Sequence, residues 1–211
     1  MRMPSRLAWF GMAVVLFGTA ACSGERMPRA ASPTPVYSAT RLPPSFQLPD
    51  TRLTAMDGRP YDLRKRTAGM ISILFFGFTH CPDICPTTMA DVSGAMKLLT
   101  PAERAKVRVV FISADPARDT PKALKTFLGN FDASFVGLTG PLKAVHKAAA
   151  DVKVSLSSPP ADPTGDYVVS HGSQLLTFGP DGGGRLLFSY GAGAGPIARD
   201  LKTLIQKEHL A

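Results

Sequence analysis

Residues 70–78 read MISILFFGF, and residues 79–86 continue as THCPDICP. The first stretch is a continuous apolar run closed by turn signals, the pattern of a strand buried on both faces of a sheet. The second carries Cys81 and Cys85, each followed by a proline, and leads into a helical pattern over Thr87–Leu99. Both thiols therefore sit where a buried strand ends and a helix begins. Functional groups in α/β sheets are presented at such strand ends. A helix N-terminus also stabilises thiolate, which is both the nucleophile and the soft-metal ligand. The Cys-x-x-x-Cys spacing is one residue wider than that of the common oxidoreductase pair. An i, i+4 separation directs both sulfurs to one side of a helical turn, where they can close as a disulfide or clasp one ion. Two buried thiols acting as small apolar residues do not suit a turn punctuated by proline.

Alternating elements extend outward from this point. Thr51–Leu63 holds Asp57-Gly58 between strand-like runs, a hairpin signal. Val107–Ser113 (VRVVFIS) is a second buried strand. Thr120-Pro121 is a helix start, with threonine as N-cap and proline at the first helical position, and that helix runs to about Phe131. Phe135–Leu138 is a short strand, and Gly140-Pro141 opens a helix that ends near Asp151. Ser155–Asp166 is a loop. Tyr167–Ser170 and Gln174–Phe178 are strand-like, GPDGGG at 179–184 is a turn, and Arg185–Tyr190 returns. Ile197–Leu210 is a terminal amphipathic helix. Buried strands alternating with helices predict a three-layer α/β domain.

The chain has 211 residues, enough for one domain with a core plus an extension. The extension is N-terminal. Arg2 and Arg6 precede the mostly apolar stretch Ala8–Ala21, which is too short to favour a full membrane span. Thr19-Ala20-Ala21-Cys22 then resembles a bacterial lipoprotein cleavage box, with Cys22 as the lipid-bearing residue and threonine where leucine is usual. Residues 1–21 are thus read as a lipoprotein signal peptide, 22–44 as a flexible membrane tether and 45–211 as the domain. A tether of this length, fully extended, reaches about 70 Å. This reading places the domain outside the cytoplasm, on the periplasmic side of a bacterial membrane and held to lipid through Cys22.

Of three cysteines, Cys22 is assigned to lipid, which leaves one close pair. One close pair is not a disulfide scaffold, and so short a loop gains little chain-entropy stabilisation. Chemistry explains the pair better than stapling does. Net charge is +8, and +6 once Arg2 and Arg6 leave with the signal. A basic exported domain suits anionic headgroups or an acidic partner protein, and nucleic acid is excluded by compartment.

FGFTHCPDICPTTM, FISADPARDTPKALKTFLGNF, FVGLTG and DYVVSHGSQLLTFGPDG, taken in order, resemble the Sco (SenC) family of copper chaperones. The resemblance covers about Phe46 to Leu210. It implies a thioredoxin-like fold, three-layer α/β/α with a central mixed sheet. It implies a membrane-tethered protein that assists assembly of the dinuclear copper site of cytochrome c oxidase. The expected partners are the copper-site subunit of that oxidase and another extracytoplasmic copper chaperone or thiol reductase. The implied ligands fall on Cys81, Cys85 and His171, a set suited to Cu(I) and able to hold Cu(II). Ser173 aligns with the position where thioredoxin-like folds carry a cis-proline. Where the family commonly has Asp before the ligand histidine, this chain has Ser170. A carboxylate that could orient the imidazole is therefore missing.

His80 is expected in a solvated turn, His146 on a helix surface and His209 in the terminal helix. Met89 is expected in the core. Asp83 is a candidate cap for the helix. Asp115, Arg118 and Asp119 are expected to form a turn network near the site, without acting as ligands. The alternative function is an extracytoplasmic thiol–disulfide oxidoreductase, with Cys81 attacking and His171 dispensable. A peroxiredoxin is disfavoured, because the Pro-x-x-x-Thr-x-x-Cys pattern is absent around either cysteine.

Overall fold

The computed structural model describes residues 36–160, 162 and 167–208. The expected signal peptide, Cys22 and most of the tether lie outside these residues, as does His209. In chain order the elements are β1 (Thr40–Arg41), β2 (Arg52–Ala55), β3 (Pro60–Asp62), α1 (Leu63–Thr67), β4 (Ile71–Gly77) and α2 (Ile84–Lys97). They continue with α3 (Pro101–Arg104), β5 (Val107–Ser113), α4 (Pro121–Gly129), β6 (Val136–Thr139) and α5 (Leu142–Asp151). The last three are β7 (Leu175–Phe178), β8 (Gly184–Phe188) and α6 (Ala194–Glu208). The strands form one eight-stranded mixed sheet, ordered β1-β8-β7-β4-β5-β6-β2-β3.

The expected three layers follow from the alternation of side chains along the central strands. Ile71, Ile73 and Phe75 of β4 face one side, where they meet Val109 and Phe111 and helices α2, α4 and α6. Leu74 and Phe76 face the other side, with Val110, Ile112 and helices α1 and α5. Every residue of β4 is buried, as its unbroken apolar run predicts. Asp57-Gly58 closes the β2–β3 hairpin, with Gly58 at φ +81°. Thr120 caps α4 by accepting from the Ala123 N–H, and Pro121 takes the first helical position.

Pairing directions decide where the functional side chains gather. β4 and β5 run parallel, from Ile71↔Val107 to Gly77↔Ser113, so the turns that follow them are neighbours. β7 runs antiparallel to β4, so the loop that precedes it returns to the same end of the sheet. The cysteine turn, the turn after β5 and the segment carrying His171 thus converge.

Several local expectations are corrected. Helix α2 starts at Ile84 rather than Thr87, which brings Cys85 into its first turn. Tyr167–Ser170 is not a strand; only an isolated bridge pairs His171 with Leu156. The chain at Thr40–Arg41, within the stretch read as tether, pairs with β8. Just before it, the buried Asp200 carboxylate accepts from Ser38 N–H at 2.9 Å, Ser38 Oγ at 2.7 Å and Ala39 N–H at 2.9 Å. Among the described residues no helix is long and apolar enough to cross a membrane.

Candidate metal centre

Cys81 lies in the turn after β4, and its sulfur accepts the Cys85 N–H at 3.4 Å. This N–H belongs to the first turn of α2, where helix donors lack intrahelical partners. Asp83 occupies the N-cap position, but its side chain makes no cap hydrogen bond and accepts instead from Thr87 Oγ1 at 3.3 Å. The expected aspartate cap is thus replaced, in part, by a cysteine sulfur. Cys85 is fully buried, and that burial pushes its thiol up from the ordinary cysteine range. Gly77 makes room for it: any Cβ at Gly77 would come within 2.7 Å of the Cys85 sulfur. Both thiols are free.

His171 arrives from the other side of the fold. Its Nε2 lies 3.3 Å from the Cys85 sulfur, and its Nδ1 lies 3.0 Å from the Gly172 carbonyl. The carbonyl can only accept, so Nδ1–H is the donor of that bond, and in this tautomer the Nε2 lone pair faces the Cys85 sulfur. Phe75 and Phe78 hold the ring edge-on, each with centroids 5.7 Å away and interplanar angles of 86° and 80°. These contacts orient the imidazole without the carboxylate that Ser170 replaces. Ser170 itself is exposed, and its N–H donates to Ser157 Oγ at 2.8 Å.

Burial is the largest influence on the His171 imidazole and lowers its pKa below the usual 6.5. A histidine with a depressed folded-state pKa stabilises the fold above its unfolded value, and that contribution is lost as pH falls through the folded value. The His171 ring resonances of the reduced, metal-free domain should therefore titrate below pH 6.5. Stability of that domain should decline on acidification through the same range. A ring that titrates at or above its model-peptide value would contradict this burial.

The three donor atoms lie within 4.8 Å of one another. Nitrogen and sulfur donors about 2.0–2.3 Å from one ion are separated by about 4 Å or less. The Cys85–His171 pair is already inside that limit, and the third donor must close by under about 1 Å. Two thiolates and an imidazole form a soft three-donor set, which fits copper and falls short of the four ligands of a structural zinc site.

Independent comparisons bear on this arrangement. The family model described as SCO1/SenC matches residues 39–206. The chain belongs to the SCO1/SenC family. A Stutzerimonas stutzeri relative is 39% identical over 141 residues, 67% of this chain and 68% of its own. The mitochondrial protein SCO2 of Saccharomyces cerevisiae is 38% identical over 131 residues, 62% of this chain. The match spans only 43% of the length of that relative. Among solved structures, ScoI of Bradyrhizobium japonicum with copper bound is 32% identical at TM-score 0.65, covering 73% of this chain and 96% of that one. A SCO1/SenC family lipoprotein from Bacillus anthracis is 27% identical at TM-score 0.65, covering 77% of this chain and 96% of that one.

In this SCO1/SenC chain the three residues singled out in sequence, Cys81, Cys85 and His171, come together, although 86 positions separate Cys85 from His171. Met89 is fully buried in the core, as expected. His80 is an exposed turn residue, bonded through Nδ1 to Thr79 Oγ1 at 3.1 Å. His146 departs from expectation: it is half-buried, and its Nε2 has no hydrogen-bond partner among the described residues. The peptide before Ser173 is trans, in contrast to the cis-proline of the thioredoxin pattern. Sequence reasoning missed Phe75, Phe78 and Gly77 as site residues. Gly77 alone gave a signal, because a glycine inside an apolar strand marks a close approach.

Proposed function

We propose that this chain is a membrane-tethered copper metallochaperone. It holds one copper ion through Cys81, Cys85 and His171 and assists assembly of the dinuclear copper site of cytochrome c oxidase. The observation that carries this reading is the 3.3 Å approach of His171 Nε2 to the Cys85 sulfur, with the Cys81 sulfur in the same 4.8 Å cluster. Copper in its similar solved relative supports the choice of metal. Copper is cargo here, so the site must both hold and release it. Cys81 is partly exposed while Cys85 is buried, so an acceptor thiol can reach the ion from the Cys81 side. The lipoprotein nature of the Bacillus anthracis relative supports anchoring through Cys22 on the outer face of a bacterial membrane.

Cys81 and Cys85 are close enough in sequence to form a reversible disulfide, which would remove both sulfurs as ligands. The domain should bind one Cu(I) when reduced and none of comparable affinity when oxidised. Competition with a chromogenic Cu(I) chelator measures this, and equal affinity in the two states would sink the ligand assignment.

The inequality of the two thiols favours one second reading, a thiol reductase acting on a copper-receiving partner. Cys81 is accessible and accepts a helix N–H, as an attacking sulfur should, while Cys85 is placed to resolve the mixed disulfide. That reaction needs no His171. Disulfide reduction that survives His171→Ala while copper binding is unimpaired would favour the reductase.

A further inference from the structure

Two fully buried carboxylates, Asp115 and Asp119, lie in the single turn that follows β5. Burying two acids so close together is costly unless each is fully used, and each serves a different half of the candidate centre. Asp119 accepts from Thr79 N–H at 3.1 Å and Thr79 Oγ1 at 2.7 Å, two residues before Cys81. Ser113 Oγ donates at 2.6 Å to Oδ2, the oxygen that also accepts the Thr79 N–H. Asp115 pairs with Arg118 Nε at 2.5 Å and accepts from the Tyr167 hydroxyl at 2.9 Å. Arg118 in turn donates to the Tyr167 carbonyl at 3.0 Å, and its guanidinium lies 3.5 Å from the centroid of the Tyr167 ring. Tyr167 leads into His171. Backbone pairing reaches only the far end of this segment, through the isolated Leu156–His171 bridge and the 2.8 Å bond from Ser157 N–H to the Ser170 carbonyl, which leaves Tyr167–Val169 without a ladder.

We propose that Arg118 is a positioning residue that, through Tyr167 and Asp115, sets where His171 meets the cysteines. The turn after β5 grips the cysteine turn through Asp119 and the histidine segment through Arg118. It thereby fixes the spacing between two pieces of chain that share no continuous backbone ladder. The functional consequence rests on the copper reading, because Arg118 would tune the nitrogen donor and leave the thiolate pair untouched. The guanidinium supplies a flat stacking face, a carbonyl donor and a carboxylate partner at once. Lysine can reproduce its charge but not this plane.

The test compares Arg118→Ala, Arg118→Lys and Tyr167→Phe with wild type. In the reduced, metal-free domain, hydrogen exchange at residues 168–172 should be about 10-fold faster in Arg118→Ala, with β4 and β5 unchanged. In the Cu(II)-loaded domain, the paramagnetic resonance spectrum should move toward that of His171→Ala. Cu(II) affinity should fall about 10-fold, the lower end of what lost outer-shell partners cost. Cu(I) affinity should stay within about 3-fold, because the thiolates carry it. Arg118→Lys should restore part of the wild-type spectrum. Wild-type exchange and spectra in Arg118→Ala would overturn the proposal, and so would exchange that rises uniformly across the sheet. If Arg118→Ala does not fold, Tyr167→Phe decides: a smaller change in the same direction is expected, and no change overturns the proposal. If the wild type binds no copper, the copper reading fails, while the exchange measurement still decides the role of Arg118.

Discussion

Cys81→Ser and Cys85→Ser should each nearly abolish Cu(I) binding by the reduced domain. Each variant removes one of two soft donors, and serine oxygen is a poor substitute for a monovalent soft ion. The loss should exceed the roughly 10–100-fold that follows removal of an outer-shell partner. The two variants should differ in stability. Cys81 is partly exposed, so its replacement should leave the melting temperature close to wild type. Cys85 is fully buried beside Gly77, in the core cluster that holds Phe75 and Phe111 and against the His171 ring. A hydroxyl there keeps His171 Nε2 as an acceptor but replaces a sulfur packed against rings, so Cys85→Ser should melt lower. Chelator competition reports the first effect and thermal unfolding the second. Cu(I) affinity within a few-fold of wild type in either variant would show that its sulfur is not a ligand.

Phe75→Ala should produce the largest loss of stability of any single truncation near the site. Phe75 is fully buried in the central strand, and its ring meets Phe111 at 5.9 Å and His171 at 5.7 Å. Removing a buried phenylalanine side chain costs about 3–5 kcal/mol, from lost transfer free energy and the cavity left behind. That is a large part of the roughly 5–15 kcal/mol that separates native from unfolded domains. Urea unfolding should show a lower midpoint at an unchanged slope. A loss below about 1 kcal/mol would mean that the core refills the space. The same truncation removes one of the two aromatic edges holding His171. Its effect on Cu(II) spectra should therefore be read in protein kept well below its unfolding transition.

The central strands were legible in sequence because their signal is local and strong. The run at Met70–Phe78 contains β4, Val107–Ser113 matches β5, and Thr120-Pro121 marks the start of α4. β1 was not legible. It is two residues long, and the chain before it is held by Asp200, about 160 positions away. The short helices α1 and α3 also escaped, although Thr100 and Glu103 form a reciprocal capping box at the second. Tyr167–Ser170 has the composition of a strand, yet it is anchored by the Arg118 and Ser157 side chains and by one backbone bond, from Ser157 N–H to the Ser170 carbonyl, and no continuous ladder forms there.

The site was legible in the same uneven way. Cysteine spacing behind a buried strand pointed to thiol or metal chemistry without choosing between them. His171 came from the family resemblance, since no local pattern ties it to residues 86 positions earlier. The missing carboxylate at Ser170 suggested a poorly oriented ring. Orientation comes instead from the Gly172 carbonyl and two phenylalanine edges. A backbone acceptor of that kind leaves no mark in sequence.

X-ray absorption at the copper edge of the reduced, Cu(I)-loaded domain, recorded beside His171→Ala, tests the three-donor centre most directly. The geometry predicts one copper per chain with two sulfur neighbours and one nitrogen in the wild type, and two sulfurs alone in the variant. Identical spectra in the two proteins, or a wild-type site without sulfur, would contradict it.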